Sequence, residues 1–311
     1  MSFLVELAES AYPPRALDRI RPVGDFSLDN ALVMMWMAQL AYETAHEDKV
    51  GRILTSWGMN KRAFASNDPV TGLPPRSACA VVAGGLGATI VAFSGTDPLK
   101  IEDWITDFTP QRSPANLHTG FEQAVGTVWP RIEAAIKARP GDEKEVFFTG
   151  HSLGGALATI AAARAAADPA IPVTAVYTFG GPRVGGDEFF GDYTAKFKLG
   201  ARTYRVVHGG DVVATVPPKI FGFRHVGDCI QCPTDGRFDG PQTQTQPAAD
   251  DRPDFVESTI ADGLADFRAM AMMRIFRRIG PRPLDRAAAL LPRMVRDHVP
   301  SNYFRAFGVT L

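Results

Sequence analysis

The 311-residue chain has few cysteines, no long apolar run and no excess of one charge sign. The odd number of cysteines, three, argues against a disulfide framework. Without a run of about 18 apolar residues, the sequence predicts no transmembrane helix. A net charge of −1 gives no overall field for nucleic acid or an anionic membrane, so neither is expected as a partner. The composition, with 45% hydrophobic and 22% charged residues, is that of a globular protein, and no obligate protein partner is evident.

Two of the cysteines, Cys229 and Cys232, have C-x-x-C spacing, but no second pair completes a zinc site. Two inert thiols are the favoured interpretation, with a local disulfide as the alternative. No metal and no cofactor is expected.

The first residues, Met1 to Glu6, contain an acid and lack a basic start followed by a long apolar stretch. No signal peptide is therefore predicted. The sequence as it stands favours a cytoplasmic protein, and secretion remains the alternative.

One short stretch has the pattern of a catalytic turn. Val146 to Phe148 predicts a buried strand and Leu153 to Ala167 a tightly packed helix, with Gly150-His151-Ser152-Leu153-Gly154 between them. In a G-x-S-x-G turn this sharp, the flanking glycines avoid a clash and the serine hydroxyl is lifted to the top of a sheet. A glycine-rich turn with a solvated serine would give the same five letters, so the rest of the chain must supply partners for Ser152.

The surrounding pattern alternates strands and helices, which predicts a sheet that is parallel in its centre. One domain over 1–311 is expected, with a flexible Pro/Gln-rich insertion at about 233–253. Strands are predicted at 78–83 and 88–93 (an antiparallel hairpin), 173–179 and 203–208; helices at 27–42, 121–138, 187–197 and 254–279, with a mixed and partly helical segment at 53–65.

A serine attacks only when a base takes its proton and a third group orients that base. In a sheet of this kind the order along the chain is serine, acid, histidine. Asp211 lies in the loop that leaves the strand at 203–208. His298, in a loop near the end of the chain, is the favoured base because a loop can place it over the sheet end. His225 is the second candidate, with a partly buried strand histidine as its plain interpretation.

The tetrahedral intermediate also needs donors for its oxyanion. One is the backbone N–H of Leu153, directly after the nucleophile. The second is expected from Thr96, in the loop after the strand at 88–93, which offers both an N–H and a hydroxyl. An ordinary turn is the alternative for that loop.

Seven motifs in sequence resemble the class 3 lipase family, which has an α/β-hydrolase fold. The resemblance runs from about Phe93 to Phe304 in unbroken order. Ser94 stands where the family commonly has Arg, and Leu117 where it has Val. The motifs are Ala92–Thr96 (F-R-G-T), Asp103–Asp107 (D-W-x-x-D), Leu117–Phe121 (V-H-x-G-F), Gly150–Ala156, Phe179–Gly185 (F-G-x-P-R-V-G), Val207–Pro218 (H-x-x-D-x-V-x-x-x-P-P) and Asp297–Phe304 (D-H-x-x-Y).

The resemblance implies Ser152 as nucleophile, His298 as base and Asp211 as the group that orients it. It also implies Thr96 and Leu153 as oxyanion donors. A lid is implied at about 97–107, and plain core packing is the alternative for its tryptophan. The candidate apolar face of the lid consists of Leu99, Ile101, Trp104 and Ile105.

These features favour a serine carboxyl-ester hydrolase, a lipase that acts on acylglycerols and related fatty-acyl esters through an acyl-enzyme. A phospholipase or a non-lipase carboxylesterase is the alternative, and a non-catalytic lipase-like binding protein is a rival of another class. The expected partner is an acyl-ester lipid. Transient contact with a lipid interface is also considered, because Arg274, Arg277 and Arg278 end a Met-rich helical segment; core packing is the plain interpretation of that segment.

Overall fold

The computed structural model describes residues 6–66, 78–95, 111–234, 237–240 and 293–311. Within them, seven strands form one sheet in sequence order. The strands are β1 (Asn60–Ser66), β2 (Cys79–Gly85), β3 (Ala88–Phe93), β4 (Glu145–His151), β5 (Val173–Phe179), β6 (Thr203–His208) and β7 (Asp228–Cys232). The helices are α1 (Leu28–Leu40), α2 (Glu47–Ser56), α3 (Thr119–Lys137), α4 (Leu153–Ala166), α5 (Asp187–Gly191), α6 (Arg293–Asp297) and α7 (Pro300–Ala306).

The sheet is antiparallel at one end and parallel over the rest. β1, β2 and β3 pair antiparallel, and each neighbouring pair from β3 to β7 is parallel. The predicted hairpin and parallel centre are therefore confirmed. Leu86 and Gly87, both with positive φ (51° and 76°), make the two-residue hairpin turn.

Both faces of the sheet are covered by helices, as a parallel sheet requires. Side chains alternate between the faces, so neighbouring residues of β4 enter different cores. Phe147 belongs to a buried cluster with Trp36 of α1. Phe148 belongs to the opposite cluster with Leu157 of α4. The Ala- and Gly-rich sequence of α4 lets its backbone approach the sheet closely, which explains why nearly all of its residues are buried.

The strand register brings several loops to one edge. Phe93 pairs with Gly150, His151 with Phe179, and Phe179 with Val206, so β3 to β6 end close together. The segments that follow these strands must therefore lie side by side. They are 94–95, residue 152, 180–181 and 209–211.

The mixed segment predicted at 53–65 divides into two elements. α2 ends at Ser56 and β1 begins at Asn60. Gly58, with φ of 71°, reverses the chain between them, a conformation that costs glycine little. The expected helix at 187–197 is also divided, into α5 and a π-helical turn at Asp192–Lys196.

β7 was not predicted as a strand, and it contains both cysteines of the C-x-x-C pair. Residues three apart in a strand point to opposite faces of the sheet. Cys229 and Cys232 are accordingly free thiols, half-buried and buried respectively. The expectation of two unlinked thiols agrees with this geometry.

Several predictions fall outside the described residues: the lid at 97–107, most of the insertion at 233–253 and the helix at 254–279. One described part of the predicted insertion at 233–253 packs against the rest of the protein. Phe238 is 5% exposed, and its N–H donates to Ala306 O at 2.7 Å. Of the helices in the described part of the chain, none has the length and apolar character needed to cross a membrane.

Candidate active site

Ser152 lies at the sharp turn between β4 and α4. Its backbone has φ of 58° and ψ of −131°, a sparsely populated conformation for a residue with a side chain. Its N–H donates to Phe179 O at 2.8 Å, which fixes the turn against β5. The strand, turn and helix therefore adopt the geometry expected of a nucleophile elbow.

The two glycines of the pentapeptide are required for different reasons. A Cβ at Gly150 would lie 2.2 Å from Gly154 O, because the two sides of the turn nearly touch. A Cβ at Gly154 would instead lie 2.3 Å from Phe93 O, on the neighbouring strand β3. Close packing of α4 against β3 thus explains the second glycine, which sequence reasoning had assigned to the turn alone.

The loop after β3 passes directly beside Ser152. A Cβ at Gly95 would lie 3.0 Å from Ser152 Cβ and 2.5 Å from His151 O. Thr96, the next residue and the predicted second oxyanion donor, lies outside the described residues. Leu153 is the first residue of α4, so its N–H is one of the helix-terminal groups that have no partner within the helix.

Asp211 and His298 form a buried pair, although 87 residues separate them. His298 Nδ1 lies 2.9 Å from Asp211 Oδ1 and 2.8 Å from Oδ2. The Tyr303 hydroxyl donates to Oδ2 at 2.5 Å, and Val213 N–H donates to Oδ1 at 2.9 Å. Asp211 and His298 are 0% and 1% exposed, so solvent does not screen their interaction.

The carboxylate form of Asp211 is favoured despite its burial. Burial alone would raise the pKa of Asp211, but the charge of His298 and the hydrogen bonds from His298 and Tyr303 outweigh it and lower that pKa. A carboxylate only accepts, so His298 Nδ1 carries the proton and donates. The lone pair of His298 Nε2 is then available to accept a proton.

Gly180, the first residue after β5, leaves space for Asp211 and His298 because it has no side chain. A Cβ there would lie 2.3 Å from Asp211 Oδ2 and 2.9 Å from His298 Nδ1. Gly180 also has φ of 58°, which suits glycine. The glycine of the F-G-x-P-R-V-G motif therefore belongs to the site.

His298 lies beside His151, the residue that precedes Ser152, and the structure records no hydrogen bond between His298 and Ser152. Within the described part of the chain, His298 Nε2 is buried without a hydrogen-bond partner. The ring of His151, the residue before Ser152, lies 4.6 Å from the ring of His298. Hydrogen bonds between catalytic groups are often long in structures without substrate.

The second candidate base, His225, is placed elsewhere. His225 Nε2 donates to Ala214 O at 2.7 Å, and the ring is buried. Arg183 supports the same loop by donating to Thr215 O and to Pro217 O, at 2.5 and 2.8 Å. These contacts shape the chain that follows Asp211.

One group of acidic and histidine side chains in the described residues has ligand spacing for a metal ion: Glu6, Glu43 and His46. Lys49 Nζ already lies 2.8 Å from Glu43 Oε2, and Tyr12 donates to Oε1. The ammonium group of Lys49 therefore already balances the charge of this carboxylate.

A family model described as "Lipase (class 3)" matches residues 90–221, which include Ser152 and Asp211. A secreted mono- and diacylglycerol lipase 1 of Fusarium solani is 42% identical over 135 residues, 41% of this chain and 39% of that protein. A lipase of Rhizopus niveus is 34% identical over 148 residues, 44% of this chain and 36% of that protein. Over residues 90–221 this chain is therefore similar to class 3 lipases.

The fold of this chain is shared with solved fungal lipases. The Rhizomucor miehei lipase in its propeptide complex matches with a TM-score of 0.54 at 24% identity, over 66% of this chain and 67% of that one. Lipase II from Rhizopus niveus matches with a TM-score of 0.54 at 22% identity, over 68% and 81%. These matches confirm the α/β-hydrolase fold. The chain spans only 36–40% of the length of the curated relatives named above and of similar lipases.

Sequence reasoning missed four side chains that the structure places at or beside the site. Tyr303 donates to Asp211, and its position in the D-H-x-x-Y motif was the available signal. His151 occupies the unspecified position of G-x-S-x-G, and Tyr42 binds it from 109 residues away. Nothing local in the sequence marks Tyr42. Asp297 was also unassigned; it accepts from Gly210 N–H at 2.7 Å.

We expect the protein to lose stability as the pH falls below about 6.5. Burial lowers the pKa of His151 to about 3 and, with nearby Arg205 and Arg183, lowers that of His225 well below its usual value. The unfolded chain binds protons on both rings below about pH 6.5 and the native state does not. His151 alone should lower the free energy of unfolding by roughly 2 kcal/mol between pH 7 and pH 5, and His225 should lower it further in the same direction.

Urea unfolding at pH 7, 6 and 5 measures this slope. His225→Gln keeps a donor for Ala214 O and should make the free energy of unfolding fall less steeply with pH. A free energy of unfolding that stays constant down to pH 5 would contradict the assignment of neutral buried rings.

Proposed function

We propose that this protein is a serine carboxyl-ester hydrolase of lipase type that cleaves acylglycerols through an acyl-enzyme at Ser152. The observation that carries the proposal is the buried Asp211–His298 pair, 2.8 Å apart, beside the strained turn of Ser152. The Asp211 carboxylate keeps the proton of His298 on Nδ1. His298 Nε2 is then free to accept the proton of the Ser152 hydroxyl.

The reaction follows from these positions. His298 Nε2 takes the proton of the Ser152 hydroxyl, and Oγ attacks the ester carbonyl. Leu153 N–H and Thr96 stabilise the oxyanion, and His298 returns the proton to the departing alcohol. Water, deprotonated by the same base, then attacks the acyl-enzyme and releases the fatty acid.

The substrate class is supported by the names of relatives. Two are called mono- and diacylglycerol lipases, from Fusarium solani and Malassezia globosa, and one is called a triacylglycerol lipase, from Ricinus communis. Phospholipids and non-lipid esters remain the alternatives, because they need the same catalytic groups. Hydrolysis rates for matched series of acylglycerols, phospholipids and short soluble esters would separate the three.

Labelling with a fluorophosphonate probe tests the proposal and its non-catalytic rival together. The expected result is one phosphonyl group per chain, mapped to the peptide that contains Ser152, because only an activated serine reacts quickly. Acid-unfolded protein and the Ser152→Ala variant serve as controls and should stay unlabelled. A folded protein that takes no label would support the binding-protein alternative.

Two further features stay proposals. Ser152 is 1% exposed, so an ester reaches it only after a covering group moves, which is the role proposed for a lid at 97–107. The second feature is the cellular compartment. Relatives from Fusarium solani and Malassezia globosa are named as secreted lipases, so they do not support the cytoplasmic expectation. Fractionation of cells that express the full-length protein decides between the two compartments.

A further inference from the structure

A chain of hydrogen bonds runs behind the proposed base. Tyr42 Oη lies 2.7 Å from His151 Nδ1, and His151 Nε2 lies 2.8 Å from the backbone oxygen of His298. His151 is 0% exposed, and both of its ring nitrogens are used. The proposed ester hydrolysis assigns no step to either Tyr42 or His151.

The donor in each of these two hydrogen bonds can be assigned, because the backbone oxygen of His298 can only accept. A carbonyl oxygen only accepts, so His151 Nε2 must carry a proton and donate to His298 O. Burial, together with the charge of His298, lowers the pKa of His151 to about 3, so the ring is neutral near neutral pH. Nδ1 of a neutral ring with a protonated Nε2 is an acceptor, and the Tyr42 hydroxyl therefore donates to it.

Tyr42 is itself fixed on three sides. It lies in the 3-10 turn Ala41–Glu43 that directly follows α1. Its hydroxyl would lie only 2.2 Å from a Cβ at Gly95, so it also contacts the loop that leads to Thr96. The tyrosine thus joins α1, the loop after β3 and the end of β4.

The base needs such support because Asp211 fixes only its ring. Asp211 approaches Nδ1 from the loop after β6. The main chain of His298 has a weak local bond, from its N–H to Val295 O at 3.2 Å. The bond from His151 instead ties that main chain to β4, the strand that carries Ser152. The main chains of Ser152 and His298 are then both held by the end of β4.

We propose that Tyr42 and His151 form a positioning bridge that holds the main chain of His298, so that Nε2 stays aligned with the Ser152 hydroxyl. The inference rests on the proposed function, since it assigns His298 as the base. A neutral His151 ring, 4.6 Å from the His298 ring, also adds no positive charge when His298 becomes an imidazolium.

Three variants test the bridge, with kcat and KM measured on the soluble ester p-nitrophenyl butyrate. His151→Leu removes both hydrogen bonds and should lower kcat about 100-fold, the cost of a misplacement near 1 Å, with little change in KM. Tyr42→Phe removes one bond and should lower kcat roughly 10-fold. His151→Gln restores a donor at the Nε2 position and should recover most of the loss.

Tyr193→Phe is the matched control. Tyr193 is a fully buried tyrosine whose hydroxyl bonds Thr203 Oγ1 at 2.8 Å, away from Ser152. Its loss should lower the midpoint of thermal unfolding as Tyr42→Phe does, while kcat stays at the wild-type value. A lower kcat in Tyr42→Phe than in Tyr193→Phe would therefore indicate a positioning role and not general destabilisation.

The tautomer gives a readout that does not depend on activity. In protein with 15N-labelled histidine, the signals lost in His151→Gln should report a protonated Nε2 and an unprotonated Nδ1 between pH 5 and pH 8. A protonated Nδ1, or a kcat for Tyr42→Phe no lower than that for Tyr193→Phe, would overturn the bridge. An inactive wild type with the expected tautomer would instead count against the proposed function alone.

Discussion

Replacement of Ser152 by Ala is expected to lower kcat for p-nitrophenyl butyrate by about 10⁶-fold, the loss typical when a serine hydrolase loses its nucleophile. The positive φ of Ser152 directs one hydroxyl to the edge where the base, the acid and the loop after β3 meet. Alanine has the same backbone requirements and removes only the hydroxyl. Stability should therefore stay close to that of the wild type.

A remote serine supplies the control for this measurement. Ser56 Oγ donates to Ile53 O at 2.7 Å near the end of α2, and Ser56→Ala should leave kcat unchanged. Both variants need the same purification, because a trace of a host esterase would mask a loss of this size. More than about 1% residual activity in Ser152→Ala would mean that another group forms the acyl-enzyme.

The parts of the site that sequence could predict are those set by local pattern. The strand, G-x-S-x-G turn and small-residue helix are contiguous, so Ser152 and Leu153 could be placed from one window of sequence. Asp211 followed from its position just after a predicted strand, since parallel strands end at one edge. The fold class, with its parallel centre, followed from the alternation of elements and is confirmed by fungal lipase structures.

The parts that sequence could not predict depend on contacts between distant segments. Tyr42 meets His151 across 109 residues, and Tyr303 meets Asp211 across 92. Nothing local in the sequence marks Tyr42. Tyr303 stands in the D-H-x-x-Y motif, but the motif does not show that its hydroxyl reaches Asp211. The role of His151 was hidden for the same reason: its two partners come from opposite ends of the chain.

Strand β7 could not be predicted from the sequence either, because its pairing with β6 outweighs its weak local strand propensity. Asp228 to Cys232 is short and partly polar, which is weak strand signal on its own. Pairing with β6 supplies five register partners and makes it a strand. The C-x-x-C spacing that invited comparison with metal and redox motifs is therefore the spacing of two residues on opposite faces of a sheet.

Asp211→Asn is expected to lower kcat by roughly 10⁴-fold, as when the acid of a serine protease triad is replaced by its amide. The Asp211 carboxylate accepts from His298 Nδ1, which leaves the Nε2 lone pair free. An asparagine amide nitrogen in that place would donate to Nδ1. The imidazole would then hold its proton on Nε2 and could not accept the proton of Ser152.

The matched control is Tyr303→Phe, which removes a hydrogen bond from Asp211 but keeps the carboxylate and the tautomer of His298. Its kcat should stay within about tenfold of the wild type, since one positioning contact is lost. The amide oxygen introduced by Asp211→Asn can still accept from Val213 N–H, so this variant should fold. Equal losses in the two variants would show that the contacts of Asp211 matter only for packing, because the tautomer changes in one variant alone.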